Sequence, residues 1–351
     1  MALATLKNVR IAGIASAVPS NRVSNSDYAV VSEEQRQKVI KYTGIQYRRW
    51  APQELCSSDL CQAAGDHLLG ELGWTPDEIE ALVFVTQTAD YPFPSTAQIL
   101  QDRMGLPRSC LAFDVNLGCS GYTYGLHILG SLLESAGCRK GLIMAGDVSK
   151  MHGDSDPASA VLFGHAGSAT AMERSPGSKP IHFELGSDGA GFRTIYVPAG
   201  GARQPVGAAA FKKDALETGG SRGATDVVLD AADIMNFTLR EVPVSIRKLL
   251  EGAAVSVPEI DAFVFHQANL FINNQVARKL RIKPEQAPTT LFDFGNTSSA
   301  TVPLTITANL RERIAAGPAR IVMSGFGVGL SWASVYWESD TGVVLPGLIE
   351  L

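Results

Sequence analysis

The feature that most constrains the fold of this chain is an internal repeat. Residues 76–88 (PDEIEALVFVTQT) resemble residues 257–269 (VPEIDAFVFHQAN) at an offset of 181 positions. Residues 141–148 (GLIMAGDV) resemble residues 320–327 (RIVMSGFG) at an offset of 179, and an Ala-Gly pair recurs at an offset of 180. Because three matches share nearly one spacing, the chain is predicted to consist of two fused copies of one folding unit.

Each copy alternates short apolar runs with longer helical runs. The runs 81–85 (ALVFV) and 262–266 (AFVFH) lack polar alternation, which is typical of strands that helices cover on both faces. Apolar residues recur at helical spacing within residues 122–136. The pattern predicts an α/β architecture, with functional groups at the carboxyl ends of strands. The sequence ERSPGSKP marks the junction, and the predicted halves are residues 1–176 and 177–351.

Composition excludes several functional classes. The 351 residues carry a net charge of −5 and no Lys/Arg-rich run, so the basic surface of a nucleic-acid-binding protein is absent. No run approaches the ~20 apolar residues of a membrane span, and the first 19 residues show neither the long apolar core nor the cleavage site expected of a signal peptide. The five cysteines form no CxxC pair, which argues against disulfides and a metal site. A cytoplasmic location is therefore expected.

One cysteine, Cys119, occupies a position that favours reactivity. It follows the β-like run 111–115 (LAFDV) and precedes a helical run, so it lies near a helix N-terminus, where backbone N–H groups and the helix dipole favour a thiolate. Gly118 and Gly121 leave room for a substrate to approach. Cys119 is therefore interpreted as a nucleophile. The alternative, a small buried core cysteine, suits the other four: Cys56, Cys61, Cys110 and Cys138.

Two polar residues of the second half lie at equivalent strand ends. His266 ends the apolar run AFVFH, and Asn296 follows Gly295 just before another helix that starts with small residues. Taken alone, His266 could be a core histidine and Asn296 a turn or helix N-cap residue. Because both accompany Cys119 at corresponding strand ends, the three side chains are predicted to converge.

The Gly-rich stretch 324–332 (SGFGVGLSW) offers a further functional element. It lacks the G-x-G-x-x-G spacing and the later acidic residue of a dinucleotide-binding loop. A tight turn that presents backbone N–H groups to an oxyanion fits the stretch better.

Five motifs together resemble the β-ketoacyl-ACP synthase III enzymes of the thiolase superfamily, in order and spacing over nearly the whole chain. They are YPFPSTA (91–97), FDVNLGCSGYTYGL (113–126), HQAN (266–269), GNTSSATVPL (295–304) and GFGVGLSW (325–332).

The resemblance implies a thiolase-like five-layered αβαβα fold from two duplicated halves, and an obligate homodimer. It implies an acyltransferase that performs a decarboxylative Claisen condensation of a Cys119-bound acyl group with a malonyl thioester. His266 and Asn296 would serve the condensation, and Phe93 matches the position that reaches across the dimer interface to the acyl pocket. The implied partners are acyl carrier protein, CoA thioesters or both.

The expected chemistry needs no metal and no organic cofactor. The Cys119 thiolate attacks an acyl thioester, while its own backbone N–H and that of Val328 hold the oxyanion. A malonyl thioester then loses CO₂, and hydrogen bonds from His266 and Asn296 stabilise the enolate oxygen before it attacks the acyl group.

The chain departs from the family pattern at its substrate entrance. The best-known members carry an arginine that faces the carrier protein where this chain has Phe271, and a Trp and an Arg that hold the CoA adenine where it has Lys38 and Tyr42. Weak use of acetyl-CoA and an altered carrier interface are therefore expected, as in a divergent member from a specialised lipid or secondary-metabolite pathway. The Gly/Ala-rich stretch 198–224 is predicted to be an exposed insertion or lid.

Four alternatives to the condensation reaction follow from the same residues. An acyltransferase of this fold that passes the acyl group to an alcohol or amine is the main one, and the presence of both His266 and Asn296 argues against it. A degradative thiolase would need a second active cysteine in the C-terminal glycine loop, which has none. The duplicated α/β pattern contradicts a papain-like hydrolase. A non-catalytic partner of a heterodimer would typically lack the cysteine or the histidine.

Overall fold

The strands of the protein form two large sheets and three two-stranded ribbons within the described part of the chain. The computed structural model describes residues 2–150, 156–217 and 219–351. The strands are β1 (Ala2–Leu6), β2 (Val9–Val18), β3 (Arg22–Ser24), β4 (Tyr47–Arg49), β5 (Ala81–Val85), β6 (Leu111–Val115), β7 (Lys140–Asp147), β8 (Ala166–Arg174), β9 (Ile181–Ser187), β10 (Ile195–Tyr196), β11 (Asp214–Ala215), β12 (Ser221–Arg222), β13 (Val228–Leu229), β14 (Ala262–Phe265), β15 (Arg320–Gly327), β16 (Ser331–Glu338) and β17 (Ile349–Glu350).

Helices connect most of the strands of the large sheets. Among the described residues, no helix combines the length and the apolar character that crossing a bilayer requires. The helices are α1 (Glu33–Thr43), α2 (Ser57–Leu72), α3 (Thr96–Arg103), α4 (Gly121–Ser135), α5 (Pro157–Ala160), α6 (Ala231–Ala253), α7 (Leu270–Leu280), α8 (Leu291–Phe294), α9 (Thr301–Asn309) and α10 (Arg311–Ala315).

The two large sheets have mixed strand directions. The first has the order β17-β2-β8-β7-β5-β6, and the second has the order β1-β9-β16-β15-β14. In the first sheet β5 runs parallel to β6 and β7, while β7 is antiparallel to β8. In the second sheet β14 runs parallel to β15, which is antiparallel to β16. Strand β5 and nearly all of β7 and β15 are buried, which explains their uninterrupted apolar sequences.

Helices lie on the outer face of each sheet and between the sheets. Helices α2 and α3 pack on the first sheet, and α6 and α7 pack on the second. Helices α4 and α9 lie between the sheets, where α4 contacts β7 and β15, and α9 contacts β2 and β14. The predicted five-layered αβαβα fold is therefore confirmed.

The central layer is filled by the apolar face of α4. Tyr122, Leu126, Leu129 and Leu133 recur at helical spacing and are all buried against strands of both sheets. Burying one such side chain contributes about 1.5–3 kcal/mol. The spacing of these apolar residues thus determines which face of α4 is buried. It thereby also determines the position of the chain at the start of α4.

The duplication predicted from the sequence is visible in the backbone. In the first half the N–H of Glu80 donates to the carbonyl of Lys140, and in the second half the N–H of Asp261 donates to the carbonyl of Arg320, each at 2.9 Å. These bonds join the starts of corresponding strand pairs, β5 with β7 and β14 with β15. The two halves therefore share one local architecture.

The ends of the chain connect the two sheets. Strand β1 pairs with β9 of the second sheet, and β17 pairs with β2 of the first. The predicted junction lies between β8 of the first sheet and β9 of the second. The division into residues 1–176 and 177–351 as two domains stays a prediction.

Candidate active site

A cavity of about 680 Å³ contains the three residues predicted to converge. Cys119, His266 and Asn296 all line its wall, and their exposed fractions are 8%, 2% and 4%. A cavity of this volume suits a small-molecule substrate. The structure therefore brings the three side chains together, while their catalytic roles stay predictions.

Cys119 lies between the end of β6 and the start of α4, against the Gly-rich loop. A Cβ atom added to Gly327 would lie 2.7 Å from the Cβ and 2.8 Å from the Sγ of Cys119. A Cβ atom added to Gly325 would lie 2.9 Å from the carbonyl oxygen of Cys119. The loop can pack against the cysteine only because these two residues lack side chains.

Burial determines the protonation state of the resting thiol. Desolvation raises the pKa of Cys119 to about 11, and the charge of Asp147 adds to the rise. Hydrogen bonds from the backbone N–H groups of Val328 and Cys119 and from the Ser298 hydroxyl lower the pKa without offsetting burial. The backbone N–H groups thus lower the pKa of Cys119, in the predicted direction, and the desolvation of the closed site, which the prediction left out, raises it by more.

Two backbone N–H groups hydrogen-bond the sulfur of Cys119. They are those of Cys119 itself and of Val328, and both lower the pKa of the thiol. The Val328 turn is held by the Ser331 hydroxyl, which donates to the Val328 carbonyl at 2.9 Å and lies 2.7 Å from the Ser120 hydroxyl at the start of α4. These contacts fix the turn beside Cys119, and the assignment of the two donors stays a prediction.

His266 follows β14 and is held as a neutral imidazole. Desolvation lowers the pKa of His266 to about 3. Its backbone N–H donates to the Ser324 carbonyl at 2.7 Å, and its Nδ1 lies 2.8 Å from the Thr301 hydroxyl. The ring of Phe326 meets the imidazole edge-on, with centroids 5.5 Å apart. With Nδ1 engaged, Nε2 is the ring nitrogen left for a ligand.

Asn296 is positioned by the turn that precedes α9. Its backbone N–H donates to the Leu162 carbonyl at 3.0 Å, and its Oδ1 accepts from the backbone N–H of Ser298 at 2.9 Å. Ser298 has a φ of 51°, a value that few residues other than glycine adopt. Because Oδ1 is occupied, the amide NH₂ is the part of Asn296 that can donate to a ligand.

Three further residues of the site were not identified from the sequence: Asp147, Ser298 and Thr301. Asp147 is 3% exposed and lines the cavity, as does Ser298, while Thr301 contacts His266. The rule that sites form at the carboxyl ends of strands could have found Asp147, since β7 ends there. Ser298 and Thr301 carry no comparable signal, because serine and threonine are common at helix starts.

Phe93 lies outside the cavity wall of this chain, in the segment between β5 and α3. Its side chain is 84% exposed. Strand β6 forms an edge of the first sheet, and Leu111 at its start is 45% exposed. An exposed aromatic ring near an open sheet edge is typical of a surface that pairs with another chain. The interface role of Phe93 stays a prediction.

An aromatic pair lies at the edge of the cavity. Tyr42 of α1 lines the cavity and stacks on Phe271 of α7, with ring centroids 4.8 Å apart. Both rings are exposed. Lys38 is also exposed, and it forms an ion pair with Glu34 at 2.7 Å. The positions predicted to alter donor binding thus present a stacked aromatic pair and a lysine that already has a partner.

The stretch 198–224 contributes residues to the cavity wall. Ala199 and Gly200 line the cavity, and the Ala199 N–H donates to the Ala224 carbonyl at 2.8 Å, which closes the stretch on itself. Most of its described residues are exposed, as predicted, and position 218 lies outside the described residues. Its action as a lid stays a prediction.

The remaining cysteines lie outside the cavity wall. Cys61 and Cys138 are buried, while Cys56 and Cys110 are half-buried, and all five cysteines are free thiols. In residues 2–150, 156–217 and 219–351, no group of three or more His, Cys, Asp or Glu side chains is placed to hold a metal ion.

Comparisons with known sequences agree with this geometry. Residues 113–189 match the family description 3-oxoacyl-[acyl-carrier-protein (ACP)] synthase III, and residues 250–339 match the description of its C-terminal part. The β-ketoacyl-[acyl-carrier-protein] synthase III 2 of Halalkalibacterium halodurans is 31% identical over 332 residues, which cover 94% of this chain and 96% of that protein.

Solved structures match the chain over its whole length. The 3-oxoacyl-(acyl-carrier protein) synthase from Burkholderia xenovorans LB400 has a TM-score of 0.93 at 39% identity and covers 100% of this chain and 99% of its own. The priming β-ketosynthase from the R1128 polyketide biosynthetic pathway has a TM-score of 0.81 at 26% identity and covers 96% and 97%. The chain therefore belongs to the β-ketoacyl-ACP synthase III family of the thiolase superfamily, a family of acyltransferases.

Proposed function

We propose that the protein catalyses the decarboxylative Claisen condensation of a Cys119-bound acyl group with a malonyl thioester, a reaction of fatty acid biosynthesis. The observation that carries the proposal is the convergence of Cys119, His266 and Asn296 on one buried cavity. A nucleophile and two neutral hydrogen-bond donors are the groups that acyl transfer followed by enolate attack requires.

In the first step Cys119 takes the acyl group from a donor thioester. Its sulfur bonds the carbonyl carbon, and the backbone N–H groups of Cys119 and Val328 hold the oxyanion until the bond to the donor sulfur breaks. The thiol proton leaves with the donor thiol. Because the product is an uncharged thioester, the buried site carries no lasting thiolate, whose desolvation would be costly.

In the second step a malonyl thioester takes the place of the donor. Loss of CO₂ leaves negative charge on the thioester oxygen, and His266 Nε2 and the Asn296 amide donate to that oxygen while C2 attacks the acyl carbon. The carbon–sulfur bond then breaks, and the released Cys119 sulfur takes up one proton from water, since its own proton left with the donor thiol. In the structure the single Thr301 hydroxyl hydrogen donates to the Ser298 carbonyl at 2.9 Å. For Nε2 to donate, that hydrogen must turn from Ser298 to Nδ1 of His266, which lies 2.8 Å from the Thr301 oxygen.

The proposed substrates are thioesters of acyl carrier protein, of CoA or of both. The residues named above supply each step, so the proposal draws on no metal and no organic cofactor. Apolar side chains of the cavity wall, among them Val161, Ile195 and Ile234, suit an acyl chain or the arm of a carrier. The free cysteines fit a reducing compartment, and we place the protein in the cytoplasm.

The proposal includes a homodimer. A second copy placed along the edge strand β6 would cover Phe93, which is 84% exposed, and would remove an open sheet edge. Sedimentation at working concentration is expected to give a dimer whose dilution to monomer removes activity. A fully active monomer would contradict this part of the proposal.

The test of the proposed reaction is a two-stage experiment on the wild-type protein. The protein is first incubated with a panel of acyl-CoA and acyl-ACP thioesters, and intact-protein mass spectrometry reads the mass added to Cys119. A malonyl thioester is then supplied, and CO₂ release is expected to match formation of the 3-ketoacyl thioester. A protein that releases no CO₂ but acylates an added alcohol or amine would contradict the proposal and identify the alternative acyltransferase.

A further inference from the structure

Two side-chain amides in the cavity wall have no role in the proposed condensation. Gln87 follows β5 and Asn116 follows β6, and both residues are exposed and line the cavity. In the described part of the chain, neither side-chain amide forms a hydrogen bond. Because an amide group carries both donors and an acceptor, each of the two can bind a polar group of a ligand.

The carboxyl ends of β5 and β6 hold the backbone of Gln87 in place. The two strands run parallel, with Val85 opposite Val115, and the Thr86 N–H donates to the Val115 carbonyl at 3.2 Å. The Gln87 N–H donates to the Oδ1 atom of Asp147 at 2.8 Å. The backbone is thus fixed at strand ends, where binding sites form in α/β proteins, while the side-chain amide stays available.

The Gln87 side chain lies over Gly118, the residue before the nucleophile. A Cβ atom added to Gly118 would overlap the Oε1 atom of Gln87, and it would lie 3.0 Å from the Gln87 Cδ and 2.8 Å from the Cγ1 of Val328. The amide and the Val328 side chain therefore contact the same point of the chain. They can do so only because Gly118 has no side chain.

An acyl group on the Cys119 sulfur begins within one residue of this amide. Consecutive Cα atoms are about 3.8 Å apart, so an amide that lies over Gly118 is within reach of a group on the third acyl carbon. An acyl chain without a polar group there would cover the amide and offer it no partner, which costs binding free energy. The amide thus favours acyl groups that carry an oxygen near the thioester.

We infer that Gln87 is a specificity-determining residue that hydrogen-bonds an oxygen on the third carbon of the acyl group, so that 3-hydroxyacyl thioesters are the preferred donors. The inference deepens the proposed function, since it rests on Cys119 as the acyl acceptor. A hydroxyl group suits this position, because it can donate to the Gln87 Oε1 or accept from the amide N–H. Asn116 adds a second amide at the neighbouring strand end and makes this part of the cavity wall polar.

The test measures single-turnover acylation of Cys119 in the full-length protein, read by intact-protein mass spectrometry. The donors are butanoyl-CoA and each enantiomer of 3-hydroxybutanoyl-CoA, which have equal chain length. One enantiomer is expected to react about fivefold faster than butanoyl-CoA, the contribution of one neutral hydrogen bond. If both enantiomers react at the rate of butanoyl-CoA or more slowly, the inference is overturned.

The variant Gln87→Met separates hydrogen bonding from shape, because it keeps the length of the side chain and removes the amide. The ratio of the 3-hydroxybutanoyl to the butanoyl rate is expected to fall about fivefold, and the preference for one enantiomer should disappear. Gln53→Met is the matched control and should keep the wild-type ratio, because Gln53 is also exposed and lies outside the cavity wall. A purely structural role of Gln87 would slow all donors alike, and an unchanged ratio would overturn the inference.

The same measurement distinguishes failure of the inference from failure of the proposed function. Acylation of Cys119 by butanoyl-CoA without any preference for a 3-hydroxyacyl donor would overturn the inference alone. Acylation by no donor would overturn the proposed function, and the inference with it. The comparison of donors on the wild type needs no variant, so the inference stays testable even if Gln87→Met fails to fold.

Discussion

Cys119 lies two residues before α4, and Ser299 lies two residues before α9, 180 positions later in the chain. The first presents a thiol to the cavity, and the second donates its hydroxyl to Asp147 at 2.8 Å. The two helix starts have corresponding places in the duplicated fold. The repeated backbone therefore places a residue at the same point in both halves, and the identity of its side chain, thiol or hydroxyl, determines its chemical role.

The strand ends of the two halves make the complementary comparison. Asp147 ends β7 and Gly327 ends β15, again 180 positions apart. Asp147 accepts from Ser299 of the other half, and Gly327 lies against Cys119 of the other half. Each strand end thus contacts the helix start of the opposite half. At the first contact the Asp147 carboxylate accepts a hydrogen bond from Ser299, and at the second Gly327 leaves room for the Cys119 thiol.

The largest expected effect comes from exchanging the two helix-start residues for alanine. Cys119→Ala should abolish acyl labelling while the fold persists, because no other thiol lies in the cavity wall. Ser299→Ala, at the corresponding position, should keep labelling, because Ser299 contributes a hydrogen bond and no covalent step. Intact-protein mass spectrometry with circular dichroism measures both. Labelling that survives in Cys119→Ala, or moves to Cys110, would contradict the comparison.

A smaller effect is expected at Gly327, where the strand end lies against Cys119. In Gly327→Ala the new methyl group would lie 2.7–2.8 Å from the Cβ and Sγ of Cys119, so the thiol or the loop must shift. A displacement of about 1 Å at a reacting group can cost roughly 10²-fold in rate, and that loss is expected in the acylation step. Gly252→Ala on α6, where the methyl group meets open space, is the control and should acylate normally. Equal rates in the two variants would show that the close contact has no functional weight.

Alkylation of the Cys119 thiol and condensation from the acylated enzyme should depend differently on pH. Because the pKa of Cys119 is raised to about 11, its thiolate fraction, and with it alkylation by iodoacetamide, should rise about tenfold per pH unit between roughly pH 7 and pH 9. The pKa of His266 is lowered to about 3, so His266 stays neutral as pH falls to about 5. Condensation from a preloaded enzyme should therefore show no inflection near the ordinary histidine value, about 6.5. An inflection there would mean that His266 titrates during the reaction.

The smallest expected effect is that of the length of the donor's acyl chain. Both halves contribute apolar side chains to the cavity wall, so a longer acyl chain can bury more apolar surface. Each buried methylene contributes about 0.8 kcal/mol, so butanoyl-CoA, with two more carbons than acetyl-CoA, should show about tenfold higher kcat/KM. Single-turnover acylation rates measure the ratio. If acetyl-CoA is the best donor, the interpretation of Lys38, Tyr42 and Phe271 as a changed entrance is wrong.

Most of the fold could be predicted from the sequence because the chain contains the same folding unit twice. The uninterrupted apolar runs and the shared offset predicted buried strands and two equivalent units, and the layered structure confirms both. Strand β1 was not predictable in the same way. It pairs with β9 of the second sheet although it lies in the first half, and a short partly exposed strand carries no periodic signal of its partner.

The location of the site was predictable, and its electrostatics were not. Cys119, His266 and Asn296 follow from strand ends and helix starts, which local sequence reveals. The pKa of Cys119 depends on how many atoms exclude water from the sulfur, and on Asp147, which is 28 residues away in sequence. Such long-range burial is set by packing between the halves.

The most direct test of the proposed mechanism asks whether acylation depends on Cys119 of the first half, and condensation on His266 and Asn296 of the second. Cys119 is loaded with an acyl group in the wild type and in the His266→Ala and Asn296→Ala variants, a malonyl thioester is added, and acyl transfer, CO₂ release and 3-ketoacyl product are followed. Both variants are expected to acylate at close to the wild-type rate and to condense about 10²–10³-fold more slowly, the usual cost of losing one oxyanion donor. Equal loss of acylation and condensation in His266→Ala would contradict the account, because it would mean that His266 activates the thiol.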